Sequence, residues 1–546
     1  MIDSIKVKLW NELVGILVWD PKQRNTYFYF NPEFNRPGYR PFPLFLHDRI
    51  LSGEIPAYGD TVHPQNQKLP FFLAGSLPDD WGNELFEQWR AMNRLSPSQV
   101  TPLSKLSFIG TRGMGALEFE PNVKVDLANE PLDVKTLVEQ AKKICDERHS
   151  YVLTQEEELT MKNLIAVGTS AGGRQAKALI AIDRESGDIR SGQISGYKDS
   201  DYYLLKFGSS IRNSGEIEMA YHELVRQAQI EMCDSKLLQI ENERHFMTRR
   251  FDRANGEKIH MLTLAAINPE ADSYEKLIQT CRMLELPLST LNEVYRRMVF
   301  NVLANNTDDH PRNFSFIMDK SGKWKLSPAY DMTYIFNERG GYLPKDERCL
   351  MVNGKRSDID LNDLLTVATG NDIQNPKRII AEVGAALGNF ERVAKKYGVG
   401  DEWRGRISSC IRRNLLKFGI ISAVNNERSY VDDTGVLVDN IHIEAATNGT
   451  YHLTATLDGI SKKFIIGRNK PGYAYIRDNG ECIELMPSVI VKSLVNIYLL
   501  KNKDLHDEMS QTDIHECGQP LQAMMDGSQG KPEDDSPSQS KGRSFF

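Results

Sequence analysis

The chain has 546 residues, 40 % of them hydrophobic and 26 % charged, with a net charge of −7 at pH 7. That length exceeds a single core and suits roughly three or four structural units, and the composition is that of a protein whose larger part folds. The acidic balance excludes general electrostatic attraction to nucleic acid.

Acids at Asp3 and Glu12 interrupt the start, where a signal peptide needs a basic end and then a clean apolar run. No uncharged apolar stretch reaches the roughly 18 residues of a spanning helix. The seven cysteines are scattered without a CxxC pair, which predicts reduced thiols and neither a metal clip nor a redox site. These features together predict a cytoplasmic protein with no membrane partner.

In chain order, residues 5–10, 14–19 and 26–31 have strand character. A turn at Ser76–Pro78 leads into an amphipathic helix with Trp81, Leu85 and Trp89 on one face, a stripe that reads as packing. Two glycines precede a short strand in TRGMGALEFE (111–120), and residues 131–147 form a further helix candidate. From 163 to 253 the pattern is glycine loop, strand, strand, helix, strand. DYYLLKF (201–207) carries one interior lysine, IEMAYHELVRQAQIEM (217–232) has helical spacing, and HFMTRRFDR (245–253) is a strand leading to a hinge. Helices dominate from 270 to about 425. Strands return over 434–500 and close with a helix near 488–501, and the polar segment 503–546 reads as disordered.

The chemistry concentrates in NNTDDHPRNFSFI (305–317) and KWKLSPAYDM (323–332). Asp308 and Asn313 are separated by four residues, the spacing of a D-x-x-x-x-N phosphotransfer loop in which the Asp meets the acceptor hydroxyl and the Asn holds Mg²⁺. A hairpin would bring Asp331 beside them as a second metal anchor. Upstream, Lys206 is a lone cation on an apolar strand and Glu218, on the following helix, is its candidate partner; a buried lysine needs an anion. Read singly, Lys206 could snorkel at a strand end while Glu218 favours a helix N-terminus. The loop VGTSAGGRQAKAL (167–179) offers backbone N–H groups at Gly168, Gly172 and Gly173 to phosphates, with Arg174 and Lys177 adding positive charge. It is neither a Walker A loop nor G-x-G-x-x-G. His310 lacks a second histidine at metal-ligand spacing and reads as a buttress that hydrogen bonds within the loop.

GTSAGGRQAKALIA, YLLKF, FMTRRFDR, NTDDHPRNFSF and LSPAYD, in this order, resemble the HipA family, the kinase component of bacterial HipBA toxin–antitoxin systems. SLPDDWG and GALEF are similar to that family's N-terminal domain, and VNGKRSDIDLNDLL to its C-terminal lobe. The resemblance implies an ATP- and Mg²⁺-dependent serine/threonine protein kinase with an α+β, two-lobed protein-kinase-like fold, an N-terminal α/β subdomain and a strand-rich C-terminal extension. The expected limits are 1–125, 126–253, 254–425 and 426–502, then the tail 503–546. By resemblance Asp308 is the base, Asn313 and Asp331 bind Mg²⁺, and Lys206 contacts the ATP phosphates. Arg250 and Phe251 lie at the adenine hinge, with Gly168, Ser170, Gly172, Gly173, Lys177, Glu218 and His310 around the nucleotide. Ser170 matches the serine that HipA kinases phosphorylate on themselves. Aminoacyl-tRNA synthetases as substrate, a HipB-like DNA-binding antitoxin as partner, and DNA reached only through that partner are further implications. A small-molecule kinase of the same fold and a catalytically silent corepressor are the competing readings.

Overall fold

The computed structural model describes residues 2–421, except 37–38, 43–45, 124–130, 147–154, 169–174, 195, 209–212 and 336–346, and then strand segments between 429 and 485. The chain forms two compact units, residues 1–421 and 422–546.

Within the first unit, strands β1 (Ser4–Leu9), β2 (Glu12–Asp20), β3 (Asn25–Phe30), β4 (Ala57–Tyr58) and β5 (Leu117–Glu120) form a sheet in the order β4-β3-β2-β1-β5. Alternation drives it: Ile5, Val7 and Leu9 point to the core while Ser4 and Lys6 face out. Helix α1 (Asp80–Met92) starts where the Asp79 carboxylate accepts the Gly82 N–H at 2.6 Å. It buries Trp81, Leu85 and Phe86, while Trp89 is partly buried.

Helices α2 (Val134–Asp146) and α3 (Gln155–Val167) pack together and lead into a second sheet. It comprises β6 (Lys177–Asp183), β7 (Ile189–Ser191), β8 (Ser200–Lys206), β9 (Ser235–Ile240) and β10 (Glu243–Arg249), ordered β7-β6-β8-β10-β9. Two of these elements were not expected: the apolar LIAV run ends helix α3, and β9 is an additional edge strand. Its burial is only intermediate and its sequence, SKLLQI, is mixed, so it has little period-2 signal. Helix α4 (Ser214–Gln227) packs on β10 and is buried along nearly all its length.

A short hairpin, β11 (Arg253–Ala254) and β12 (Glu257–Lys258), precedes a three-stranded sheet of β13 (His260–Thr263), β14 (Ser315–Met318) and β15 (Trp324–Leu326). The long helix α5 (Leu288–Leu303) feeds the loop before β14, and four helices over Leu361–Lys417 close the unit. One contiguous core joins these parts, each buried Leu, Ile, Val or Phe contributing about 1.5–3 kcal/mol. The second unit contains an antiparallel meander of six strands between Ser429 and Leu485. The expected helix at 488–501 and the tail at 503–546 lie outside the described residues. Among the described residues no helix is long and apolar enough to cross a membrane.

Candidate active site

Lys206 is the last residue of β8, opposite Phe246 on one side and Lys177 on the other. Its ammonium donates to both Glu218, in the second turn of α4, and Asp331. Burial opposes the charge on Lys206, and the Asp331 and Glu218 carboxylates outweigh it, holding the pKa above the ordinary lysine value. Burial also pushes the Glu218 carboxyl up, with Lys206 pulling against it. Asp331 is buried too, yet Lys206 holds it below the usual carboxylate range. Three residues far apart in sequence thus meet through one ammonium.

Asp331 has a left-handed backbone, φ +53°, which is costly for a residue with a Cβ. Neighbouring bonds sustain it: Asn306 Nδ2 donates to the Asp331 carbonyl at 3.3 Å, and Ala329 N to the Glu231 carbonyl at 2.7 Å. The loop that carries Asp308 follows α5 through Asn305, also left-handed at φ +57°. Asn313 Nδ2 donates to the Asp308 carbonyl at 2.7 Å, closing the loop and leaving the amide oxygen for another ligand. Partial burial, then the Asp331 and Asp309 carboxylates, raise the Asp308 pKa, against the pull of His310.

The loop is buttressed differently from expectation. His310 Nε2 stands 4.0 Å from Asp308 Oδ2 and its Nδ1 is buried without a partner, a separation too long for a hydrogen bond. Asp309 performs that task instead. Its fully buried carboxylate accepts from Tyr274 Oη at 2.7 Å, Arg348 Nη1 at 2.8 Å, Cys349 N at 2.9 Å and Leu350 N at 3.2 Å. These partners come from two distant segments, around Tyr274 and over Arg348–Leu350, so no local pattern in the sequence marks Asp309.

The cleft beside these groups has about 1050 Å³ of open volume. Leu204, Met232, Phe246, Thr248 and Ala329 supply apolar walls near the strand that leads to the hinge. Phe251 lines it too, its ring 5.7 Å from Tyr330. Arg250 also borders the cleft, but its guanidinium is committed to Asp252 at 2.8 Å and to the Gly192 carbonyl at 2.8 Å. Asp252 in turn receives Arg253 at 2.7 Å and the Gly115 N–H at 2.8 Å, so the two glycines of TRGMG serve a backbone docking contact.

The glycine-loop positions divide. Ser170, Gly172 and Gly173 lie outside the described residues. Gly168 does not offer its N–H to a ligand, because that group donates to Leu164 O at 2.7 Å at the end of α3. A Cβ there would stand 2.1 Å from Leu85 Cδ1, so packing demands the glycine. Lys177 is buried and pairs with Asp79 at 2.9 Å; it is Asp79 that lines the cleft. Asp79 and Arg312 are cleft residues that the sequence reading did not single out.

The carboxylate of Asp331 and the amide oxygen of Asn313 are hard oxygen donors, which suit Mg²⁺. The repulsion between the Asp331 and Asp308 carboxylates is what a divalent cation would relieve. Among the described residues no three His, Cys, Asp or Glu side chains converge as a ready-made metal cage.

The fold and cleft define an α+β, two-lobed protein-kinase-like architecture with an added N-terminal domain. Residues 5–120 match the HipA N-terminal domain and residues 169–390 the HipA-like C-terminal domain, together more than half of the chain. The chain belongs to the HipA family. A Haemophilus influenzae protein named "Putative kinase" is 26 % identical over 202 residues, a stretch covering 33 % of this chain and 57 % of that relative. The fold is similar to a chain of the Shewanella oneidensis toxin–antitoxin complex of HipA, HipB and operator DNA. The TM-score is 0.53 at 15 % identity, covering 76 % of this chain and 97 % of that one. The Helicobacter pylori kinase CtkA gives a TM-score of only 0.30 at 12 % identity, with 40 % and 88 % covered.

Proposed function

We propose that the chain is an ATP- and Mg²⁺-dependent kinase that phosphorylates serine or threonine hydroxyls of protein, as the toxin of a HipBA-like module. The observation that carries this reading is the ammonium of Lys206 held between Glu218 and Asp331, beside the loop bearing Asp308 and Asn313. In this reading Lys206 grips the outer phosphates, and Glu218 fixes where the ammonium points. Asn313 and Asp331 would hold Mg²⁺, which supplies charge neutralisation on the phosphate oxygens. Asp308 orients the acceptor hydroxyl and takes its proton.

Ser170 is the proposed site of self-phosphorylation; a phosphate there would repel those of ATP. A HipB-like DNA-binding antitoxin is the proposed partner, supported by the likeness to the Shewanella HipA–HipB–DNA complex; a net charge of −7 gives the chain as a whole no electrostatic push toward DNA. Family resemblance supports an aminoacyl-tRNA synthetase as substrate, and the scattered cysteines without a CxxC pair a cytoplasmic location.

Intact-mass measurement of the full chain with and without MgATP, followed by peptide mapping, tests the reading. The native chain is expected to gain phosphate on Ser170, and Asp308→Ala and Asp331→Ala to gain none. Undiminished labelling in both variants would remove it, and a small alcohol that consumes ATP while protein stays unlabelled would replace the acceptor class.

A further inference from the structure

Among the described residues four cations line the cleft: Lys206, Arg249, Arg250 and Arg312. Three are committed to carboxylates, Lys206 to Glu218 and Asp331, Arg249 to Asp201 at 3.0 Å, and Arg250 to Asp252 at 2.8 Å. Arg312 makes no ion pair within 4 Å of any described residue, and Asp80 and Asp79 attract its guanidinium only from farther off. Its side chain is exposed to the cleft, on the loop between Asp308 and Asn313.

The backbone of this arginine is fixed although its guanidinium is not. Tyr330 Oη donates to the Arg312 carbonyl at 2.8 Å, and Tyr330 immediately precedes Asp331. Asn313 is tied to the Asp308 carbonyl at 2.7 Å. Arg312 therefore projects from a short segment pinned at both ends to the groups proposed to hold metal and acceptor. Arg249, by contrast, lies three residues from Phe246, the residue opposite Lys206, or about 10 Å along the strand.

Phosphoryl transfer puts negative charge on the oxygens of the moving group just as it leaves one oxygen for another. Lys206 meets that charge already shared between two carboxylates, whereas the forked guanidinium of Arg312, without a close ion pair among the described residues, can bind two oxygens at once on the acceptor side. We propose that Arg312 is a catalytic residue that clamps the transferred phosphoryl group in the transition state. The inference rests on the phosphotransfer reading. As the acceptor oxygen bonds to the γ-phosphorus, the bond to the β-γ bridging oxygen breaks and its electron pair leaves with ADP. The acceptor proton passes to Asp308, and the charge on the non-bridging oxygens is what Arg312 holds.

MgADP with aluminium fluoride, which imitates the group in flight, tests this on the full chain without knowledge of the acceptor. Calorimetry is expected to show fluoride tightening MgADP binding at least about 100-fold in the native protein and less than about tenfold in Arg312→Met. Affinity for MgADP alone is expected to stay within about threefold, since Arg312 acts only on the group in flight. Arg312→Lys should recover part of the tightening. The clamp is overturned by an unchanged fluoride response in Arg312→Met, by equal loss of MgADP affinity, or by a native protein that binds MgADP and ignores fluoride. A native protein that binds no MgADP at all instead overturns the phosphotransfer reading, and the clamp with it.

Discussion

Lys206 neutralises two buried acids at once, so its removal has two effects that separate experimentally. Lys206→Met should abolish phosphate transfer, and it should also destabilise the fold by about 3–5 kcal/mol, because Glu218 and Asp331 are left facing each other without a cation. Thermal unfolding of the variant checks the second effect independently of activity. Asp308 carries the opposite sign. Its folded pKa is raised by partial burial and by Asp331 and Asp309, so the ionised form that a general base requires is disfavoured in the fold. The acid limb of kcat/KM should then fall above the usual aspartate value of about 3.9, with activity rising as pH rises through it. By linkage, a raised carboxyl pKa means stability present at low pH and lost as pH climbs past the folded pKa. Asp308→Asn should therefore melt higher than the native protein at pH 7, where transfer drops by about 10²–10⁴-fold, and the stability advantage should vanish toward pH 4.

At the level of elements, β13 begins with a histidine whose ring is wholly buried between Trp10 and Trp324, at 6.2 and 5.5 Å. His260 Nε2 bonds the Pro41 carbonyl at 2.8 Å, and burial, against that bond, pushes its pKa down to about 4. Here the unfolded chain takes the proton that the folded chain refuses, so stability should decline as pH falls from about 6.5 toward 4, by about 3 kcal/mol in total. Urea unfolding at pH 7 and pH 4.5 should show a smaller decline for His260→Gln than for the native chain.

Much of this element structure was legible beforehand: alternation marked β1 to β3, and the Trp81, Leu85 stripe marked α1. The meeting of Lys206 with Glu218 and Asp331 was legible in their order along the chain, and that of Asn313 with Asp308 in their spacing. Asp309 was not, because its value lies in reaching Tyr274 and Arg348, nor was Asp79, whose partner Lys177 is 98 positions away. The histidine beside Asp308 misled because sequence proximity is not hydrogen-bond geometry, and Gly168 because a glycine needed for packing looks the same as one needed for a ligand.

For the whole molecule, residues 1–421 enclose one continuous core and form a compact unit of their own. A chain ending at residue 421 should accordingly unfold in a single cooperative transition and bind MgATP within about twofold of the full chain, since the groups proposed to bind it all lie in that unit. Calorimetry of the two chains side by side checks it.

The N-terminal domain also touches both sides of the cleft. Asp79 reaches Lys177 and Gly115 reaches Asp252 on one side, while Pro41 reaches His260 and Arg40 reaches Trp324 on the other. Such a splint opposes the scissoring by which two lobes commonly admit a nucleotide. Small-angle scattering curves of the 1–421 chain with and without MgATP should therefore superimpose, and exchange of the bound nucleotide should depend on local rearrangement at the mouth more than on any swing of the lobes.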